Sequence, residues 1–324
     1  MMPSFCYLLM CHADKDVVLR AAARVRATSP DASVVLRHDR GEAFISPSDA
    51  ASVGAEVFDS AISVRWGGWS MVEAELEALE HVLRTRRPEW VVMVSGHDYP
   101  VRPLGQWQDE VVATGADALV SATARPGHRR YVYTWSPLPG WLFRLPTAAR
   151  WALRGTWRRL LAPWQRIVIV RQAPRGSGWQ VGVRRLRTPF GDADGVQYMK
   201  GSQWMTLSAK AVTHLLEAHR TGVWAAFFQT TRIPDESYLQ TVLAADDRLA
   251  LADVPTTWVR FADGHPHPVT LDVDAVPAIL DAGTAFARKV VAGVSEPALD
   301  LIDSYEGPWV ALNAVPVVHD LAHE

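Results

Sequence analysis

The chain has 324 residues, a length that suits one large α/β domain or two small ones. Hydrophobic residues make up 48% of it and charged residues 21%, so a full globular core is possible and wholesale disorder is excluded. The formal net charge of −2 gives no global sign of nucleic-acid binding, and we expect no nucleic-acid partner. No apolar stretch reaches the roughly 18 residues of a membrane span.

The two cysteines and the first residues predict a reduced, cytoplasmic protein. Cys6 and Cys11 lie on one predicted strand at an odd spacing, so their side chains point to opposite faces and are poorly placed for a disulfide. The run from Met1 to Cys11 is short and lacks the basic residues that begin a signal peptide. Arginine greatly outnumbers lysine, and alanine and valine are abundant, which is typical of a GC-rich bacterial genome.

Buried apolar runs alternate with amphipathic segments in the first third of the chain. Continuous apolar runs are typical of strands buried on both faces. The longest amphipathic segment has Ser70 as its predicted N-cap and Glu73 at the capping-box spacing. This alternation predicts a mostly parallel sheet, which binds ligands at the carboxyl ends of its strands. The predicted elements are a strand over 5–11, a helix over 16–27, a strand over 33–36, a weaker strand over 57–64, a helix over 71–83 and a strand over 90–94.

The middle of the chain has a different composition. From Leu119 to Gly191 there is no Asp or Glu, but there are 14 arginines interspersed with tryptophans. We interpret 125–190 as an Arg/Trp-rich insertion, and three readings of it stay open. Tryptophan faces stack on sugars and arginines reach hydroxyls or anions, which favours an acceptor-side subregion. A peripheral membrane patch over 141–164 and a solvated basic face over an ordinary core are the alternatives.

The last third returns to ordinary α/β character. It contains no low-complexity linker, and no internal repeat is found in the chain, so residues 1–324 are predicted to form a single domain. The predicted elements are a strand over 203–207, a helix over 208–219, a helix after Pro234 and a helix over 274–282.

The densest cluster of chemically unusual residues is the run from Ile233 to Thr241, which contains Pro234, Asp235 and Glu236. Proline followed by two acids is a good helix start by itself, because the acids face the positive end of the helix. The functional alternative is a general base, because an ionised carboxylate near a reacting hydroxyl can accept its proton as the new bond forms. Local chemistry favours neither reading over the other.

Four further segments combine glycine, aromatic and charged residues next to predicted elements. Glycine lets the backbone approach a ligand closely, although each glycine segment also fits a plain turn or packing corner. Adjacent cations can hold a diphosphate without a metal, although a basic pair is also common at a helix end. The four segments are 66–70, 95–100, 201–204 and 286–289.

Together these motifs resemble, in one order, the core-2/I-branching β-1,6-N-acetylglucosaminyltransferases and peptide O-xylosyltransferases of glycosyltransferase family 14. The resemblance runs from Phe5 to about Val290. Any one of the motifs is short, whereas seven in the right order are specific. They are the strand ending at His12, the pair His38-Asp39 (adjacent here, separated in the family), Arg65-Trp66-Gly67-Gly68-Trp69-Ser70, Ser95-Gly96-His97-Asp98-Tyr99-Pro100, Gly201-Ser202-Gln203-Trp204, Pro234-Asp235-Glu236 and Phe286-Ala287-Arg288-Lys289.

The resemblance implies a GT-A fold, that is, a Rossmann-like mixed sheet flanked by helices, with a UDP-sugar donor and inversion at the anomeric carbon. It implies that Glu236 is the general base and that Lys289 binds the diphosphate. The family's second phosphate arginine has no counterpart in the matching stretch here, so Arg260 or Arg288 takes that part. Other expected donor-side residues are His12, Asp39, Trp66, Gly67 and Ser70, and the expected substrate-side residues are His97, Asp98, Tyr99, Asp235 and Trp204.

The expected chemistry needs no cofactor beyond the UDP-sugar, and the resemblance is to metal-free enzymes. The donor sugar stays open among N-acetylglucosamine, xylose and glucose, and the acceptor is a glycan or a natural product. Two Asp-x-Asp sequences, at 192–194 and 272–274, leave a metal-dependent transferase as one rival. The other rival is a non-catalytic GT-A-like domain that binds a glycan or an anionic surface.

Overall fold

The computed structural model describes residues 3–12, 14–39, 45–137, 167–171, 179–190, 196–262, 267–312 and 315–316. Over these residues the chain alternates strands and helices. The strands are β1 (Phe5–Cys11), β2 (Ser33–His38), β3 (Glu56–Phe58), β4 (Trp90–Ser95), β5 (Tyr99–Pro100), β6 (Ala118–Leu119), β7 (Ala122–Ala124), β8 (Tyr133–Pro137), β9 (Ile167–Arg171), β10 (Trp179–Arg184), β11 (Met199–Gly201), β12 (Thr206–Ser208), β13 (Leu251–Asp253), β14 (Thr257–Val259), β15 (Phe286–Arg288) and β16 (Val315–Pro316).

Helices follow most of the strands, as the alternation of patterns in the sequence predicts. In the part of the chain that the structure describes, two of them are short 3₁₀ helices, Pro234–Glu236 and Val273–Ala275. None of the helices in the described part of the chain is both long and apolar enough to span a bilayer. The α-helices are α1 (Lys15–Thr28), α2 (Pro47–Ser52), α3 (Trp69–Thr85), α4 (Leu104–Ala113), α5 (Arg129–Val132), α6 (Ala209–Thr221), α7 (Val223–Phe228), α8 (Tyr238–Ala244), α9 (Val276–Leu280) and α10 (Glu296–Asp303).

The central sheet has eight strands in the order β16-β13-β6-β12-β4-β1-β2-β3. Strand β1 pairs in parallel with β2 and β4, and β2 pairs in parallel with β3. Strand β12 runs antiparallel to both β4 and β6. The amino end of β12 therefore lies at the same edge of the sheet as the carboxyl ends of β1, β2, β4 and β6. This mixed sheet with helices on both faces confirms the predicted fold class.

Alternate side chains of β1 enter two separate cores on the two faces of the sheet. Cys6 packs with residues of α3, α6 and α8, whereas Cys11 packs with residues of α1, α4 and α10. Both cysteines are buried and free, as their odd spacing on one strand predicts. The first core also contains Val72, Leu79, Val212, Leu215 and Leu239, and the second contains Val18, Ala22, Leu104, Val111 and Leu299.

Three smaller sheets accompany the central one. Strands β8, β10 and β9 form an antiparallel sheet inside the predicted insertion 125–190. Strand β11 pairs with β7, and β15 lies between β14 and β5. The predicted membrane patch 141–164 lies outside the described residues, so its role stays a prediction.

Three predicted element boundaries are wrong. Helix α3 begins after Gly68, and Ser70 lies in its first turn, where its Oγ accepts a hydrogen bond from Arg65 N at 2.8 Å instead of capping the helix. The strand predicted over 57–64 ends at Phe58, because the following backbone turns to accept Arg37 Nη2 at Ile62 O (2.6 Å). The strand predicted over 203–207 forms over Thr206–Ser208 instead. The helix predicted after Pro234 is confirmed, as a 3₁₀ turn followed by α8.

Candidate functional site

One edge of the central sheet gathers most of the predicted site residues. His12 and Asp39 directly follow the carboxyl ends of β1 and β2, and His97 lies two residues after the carboxyl end of β4. Trp204 lies just before the amino end of β12, which reaches the same edge because β12 runs antiparallel to β4. Parallel strands leave a crevice outside their carboxyl ends, where ligands of open α/β sheets bind.

The first group at this edge, the Lys289 cluster, consists of Lys289, His12 and His97. The rings of His12 and His97 are 4.9 Å apart between centroids and meet edge to face. His97 Nδ1 donates to Val290 O at 3.1 Å, directly beside Lys289 in the chain. Burial, followed by the charges of Lys289 and His12, lowers the pKa of His97 to about 4. The structure thus joins three predicted site residues around a neutral imidazole.

Arg288 is held by the interior of the protein. Its Nε lies 3.2 Å from Asp98 Oδ1, and its guanidinium lies over the ring of Trp204 at 5.1 Å from the centroid. Asp98 is fully buried and also accepts from Ser95 N at 2.8 Å. Burial raises the pKa of Asp98, and Arg288 opposes that effect. Asp98 and Trp204 therefore orient Arg288.

Arg260, the other cation predicted for this position, is linked to Lys289 through the backbone of Val269. Val269 N donates to Arg260 O at 2.8 Å, and Val269 O accepts from Lys289 N at 3.3 Å, so one residue bridges the two backbones. The parallel strands β14 and β15 pair Val259 with Arg288. Arg260 and Lys289 are the next residues in the chain after these two. Arg260 has 45% of its side chain exposed, compared with 18% for Arg288.

The second group at the edge surrounds Glu236. The 3₁₀ turn that carries it follows Ile233, whose φ of 50° lies in the left-handed region. Ile233 N donates to Gly67 O at 3.2 Å, which docks the turn against the start of α3. Glu236 Oε2 accepts from Arg130 Nη1 at 2.6 Å and lies 3.4 Å from Lys200 Nζ. One third of the Glu236 side chain stays exposed.

Arg130 and Lys200 are site residues that the sequence motifs did not identify. Arg130 lies on α5 and Lys200 on β11, both outside the motifs that resemble the family. The signal that could have found Arg130 is the acid-free segment after Leu119, where every arginine must find its carboxylate elsewhere in the chain. Lys200 directly precedes the motif 201–204, which places it at the same edge of the sheet.

Next to Glu236, Asp235 is buried against a second carboxyl group. Burial raises the pKa of Asp235 to about 7, and the charge of Glu236 adds to this. Glu75 of α3 is fully buried, and neither of its carboxyl oxygens has a hydrogen-bond partner among the described residues. Burial and the charge of Asp235 raise the pKa of Glu75 well above its usual range. Asp235 thus faces inward, whereas Glu236 faces outward.

The segment 202–204 contacts the surroundings of both groups. Gln240 Nε2, on the helix after Glu236, donates to Ser202 O at 2.7 Å. Ser202 Oγ accepts from Trp204 N at 3.1 Å, and the ring of Trp204 lies under Arg288, which precedes Lys289. Six of the seven sequence motifs therefore have a residue at this edge of the sheet.

Three other predicted site residues, Asp39, Trp66 and Tyr99, belong to neither of the two groups. Asp39 Oδ1 accepts from Val64 N at 2.9 Å, and Trp66 has 40% of its surface exposed near the start of α3. Tyr99 is buried, and its hydroxyl donates to Asp303 of α10 at 2.8 Å, on the α1 side of the sheet. The hydrogen bonds of Tyr99 thus connect helices rather than either group of site residues.

The two Asp-x-Asp sequences differ in what the structure says of them. Asp272 Oδ1 accepts from Ala275 N at 3.0 Å, which caps the second 3₁₀ helix. Asp192 and Asp194 lie outside the described residues. Within the described ranges, no three His, Cys, Asp or Glu side chains group as they would around a metal ion.

Comparison with known proteins gives one family. The model described as Core-2/I-Branching enzyme matches residues 38–133 and 180–285, more than half of the chain. No curated protein matches the chain. Among solved structures, the chain is similar to a 4-diphosphocytidyl-2C-methyl-D-erythritol synthase (12% identity, 69% of this chain and 86% of the other, TM-score 0.33). It is also similar to mouse xyloside xylosyltransferase 1 in its apo form (12% identity, 88% and 97% coverage, TM-score 0.37).

Proposed function

The chain belongs to the Core-2/I-Branching enzyme family and is a glycosyltransferase, and we propose that it transfers a sugar from a UDP-sugar to an acceptor hydroxyl with inversion. The family match covers 38–133 and 180–285 and so includes the turn with Glu236. His12 and Lys289 lie outside the matched ranges, so their parts in the proposal rest on the geometry described above. The donor sugar is N-acetylglucosamine, xylose or glucose.

The observation that carries the proposal is the position of Glu236. Its carboxylate is one-third exposed at the carboxyl edge of the sheet, and Arg130 and Lys200 hold it in one place. The adjacent Asp235 is turned into the protein and buried. A general base must reach the proton that it removes while its own position is fixed. Glu236 meets both requirements.

The reaction is a single in-line displacement. Glu236 takes the proton of the acceptor hydroxyl as its oxygen attacks the anomeric carbon, and the bond from that carbon to the UDP oxygen breaks. Negative charge grows on the leaving diphosphate, where a preorganised cation is worth most. Lys289 supplies that cation, with His12 and His97 beside it. An α-linked donor then gives a β-glycoside.

Metal independence rests on a second cation beside Lys289. Arg260 is bridged to Lys289 through Val269 and is almost half exposed. A pair of cations can neutralise a diphosphate that would otherwise need a divalent ion. Arg260 also lies 3.9 Å from Asp272 Oδ1, but both side chains are almost half exposed. Arg288 has a different part, because it is less exposed and is held by the buried Asp98 and by Trp204. We assign it to the support of the strand that ends at Lys289.

The test is UDP affinity by titration calorimetry for Lys289→Ala. Loss of one charge-assisted contact is worth about 1.5–3 kcal/mol, so the dissociation constant for UDP should rise by about tenfold or more. Arg84→Ala, which removes an exposed arginine at the end of α3, is the matched control and should leave it unchanged. Equal affinities in wild type and Lys289→Ala would contradict the donor site.

Two assays separate the rivals. Transfer or slow donor hydrolysis that survives EDTA supports the metal-free mechanism, whereas loss of both in EDTA and recovery with a divalent ion would favour the metal-dependent transferase. A protein that binds a glycan but neither binds UDP nor hydrolyses any UDP-sugar would be the non-catalytic domain.

A further inference from the structure

The surroundings of Glu236 contain more positive charge than the carboxylate can neutralise. Arg130 Nη1 and Lys200 Nζ lie 2.6 and 3.4 Å from the same oxygen, Glu236 Oε2. Two cations on one carboxylate leave one positive charge in excess. We call Arg125, Arg130, Lys200 and Arg232 the basic cluster.

Arg232 and Arg125 complete the basic cluster through the backbone. Arg232 N donates to Arg130 O at 3.4 Å, and its guanidinium lies over the ring of Trp135 at 5.1 Å. Arg125 N donates to Tyr198 O at 2.9 Å, and its side chain is exposed. No ion pair joins Arg125 or Arg232 to an acid within the described ranges. Their charges therefore add to the positive charge around Arg130 and His128, next to Glu236.

The pKa of His128 indicates the sign of the electrostatic potential in the basic cluster. It lies between these residues in the chain and in space, with its ring stacked on that of Tyr198. Burial lowers the pKa of His128, and Arg130, Lys200 and Arg125 all lower it further, whereas Glu236 opposes them. The potential at this position is positive even with the carboxylate of Glu236 included.

The sequence that adjoins the basic cluster supplies few acids that could reverse this sign. The segment from Leu119 to Gly191 contains no acid, so its undescribed parts bring no negative charge. Asp192 and Asp194 are the nearest acids along the chain outside the described residues. If both faced the basic cluster together with Glu236, the four cations would still outnumber the three carboxylates. Such a surplus concentrates anions at the site.

We infer that the acceptor carries an anionic group, a carboxylate or a phosphate, close to the hydroxyl that receives the sugar. This inference rests on the proposed function, because it takes Glu236 as the base. The anion binds Arg130 and Lys200, which are the donors suited to carboxylate and phosphate oxygens. A guanidinium has five N–H donors and an ammonium three, so both cations can hold Glu236 and still donate to the anion.

The test compares acceptors that differ in one charge. Titration calorimetry measures 4-nitrophenyl β-D-glucuronide against 4-nitrophenyl β-D-glucoside, and glucose 6-phosphate against glucose, in the presence of UDP. We expect at least one anionic probe to bind about tenfold or more tightly than its neutral partner, and the two arms tell a carboxylate from a phosphate. Equal binding within both pairs would overturn the inference.

The variants locate the preference in the basic cluster. Lys200→Gln and the exposed Arg125→Gln should each reduce the anionic preference severalfold, whereas Lys210→Gln, an exposed lysine of α6 paired with Asp117, should keep it. A preference that survives in both cluster variants would overturn the assignment. The inference would also be overturned if the anionic preference appeared only after Asp192→Asn and Asp194→Asn, because these two acids would then neutralise the basic cluster in the wild-type protein.

The same measurements separate this inference from the proposed function. Lys289→Ala should weaken UDP and leave the anionic preference, measured in this variant without UDP, unchanged. If the wild-type protein bound the anionic probes but had no affinity for UDP, the transferase would be refuted while the basic cluster stayed an anion site. UDP-dependent transfer to neutral acceptors alone would keep the transferase and refute the inference.

Discussion

Replacing Asp235 by Asn should stabilise the protein at neutral pH and leave it almost unchanged in acid. The side chain is buried, and its Oδ1 has no hydrogen-bond partner among the described residues. A buried carboxyl group without partners resists ionisation, because the charged form loses its hydration. Asparagine has nearly the same shape and carries no charge to bury.

The magnitude follows from the pKa of Asp235, which burial raises from its ordinary 3.8 to about 7. Between these two pH values the folded protein keeps a proton that the unfolded chain has lost, so stability falls as pH rises. Each pKa unit is worth about 1.4 kcal/mol, and the cost therefore grows to at most about 4 kcal/mol at pH 7. Above pH 7 it stays constant.

The assay is urea unfolding of wild type and Asp235→Asn at several pH values from about 4 to 8. The difference between their free energies of unfolding should grow in favour of the variant as pH rises, and then level off. Asp281→Asn, at an exposed position after α9, should run parallel to wild type. If Asp235→Asn also ran parallel, Asp235 would be ionised in the fold and the reasoning on its burial would fail.

Two other perturbations test the Lys289 cluster and the sheet edge. Burial and the charge of Lys289 lower the pKa of His97 from 6.5 to about 4, so an NMR titration should show its ring neutral down to about pH 5. The free energy of unfolding should fall by about 3 kcal/mol between pH 6.5 and 4, because the unfolded chain binds a proton that the folded protein does not. A titration midpoint near 6.5 would place His97 in open solvent. Gly201→Ala would put a Cβ 2.5 Å from Ala122 Cβ and should cost about 1–3 kcal/mol in unfolding experiments. In Gly105→Ala the nearest atom is at 3.6 Å, so it should be neutral or slightly stabilising, and equal stabilities of the two variants would contradict the close packing of β11 on β7.

The buried strands were the most predictable part of the fold. Every residue of Phe5–Cys11 is buried, and the strand forms over the predicted residues because a continuous apolar run has no other stable location. The end of the third strand was not predictable, because it depends on the guanidinium of Arg37 reaching Ile62 O. Such a contact depends on side-chain placement that periodicity does not contain.

Some residues of the candidate site could be predicted from the sequence, and others could not. His12, Glu236 and Lys289 could be chosen from short motifs, because those motifs concentrate chemistry at the ends of predicted elements. Arg130 could not be assigned to Glu236, since 106 residues separate them and only the packing of α5 brings them together. Tyr99 shows the converse, because it lies inside a motif but donates to Asp303 on the other side of the sheet.

The central claim is that Glu236 removes the acceptor proton while Lys289 holds the leaving diphosphate. The most direct test is the transfer rate of Glu236→Gln at saturating UDP-sugar, with UDP affinity measured on the same preparation. We expect transfer to fall by at least about a hundredfold, as loss of a general base does, while UDP binds as in wild type. Near-normal transfer by Glu236→Gln would show that another group takes the proton.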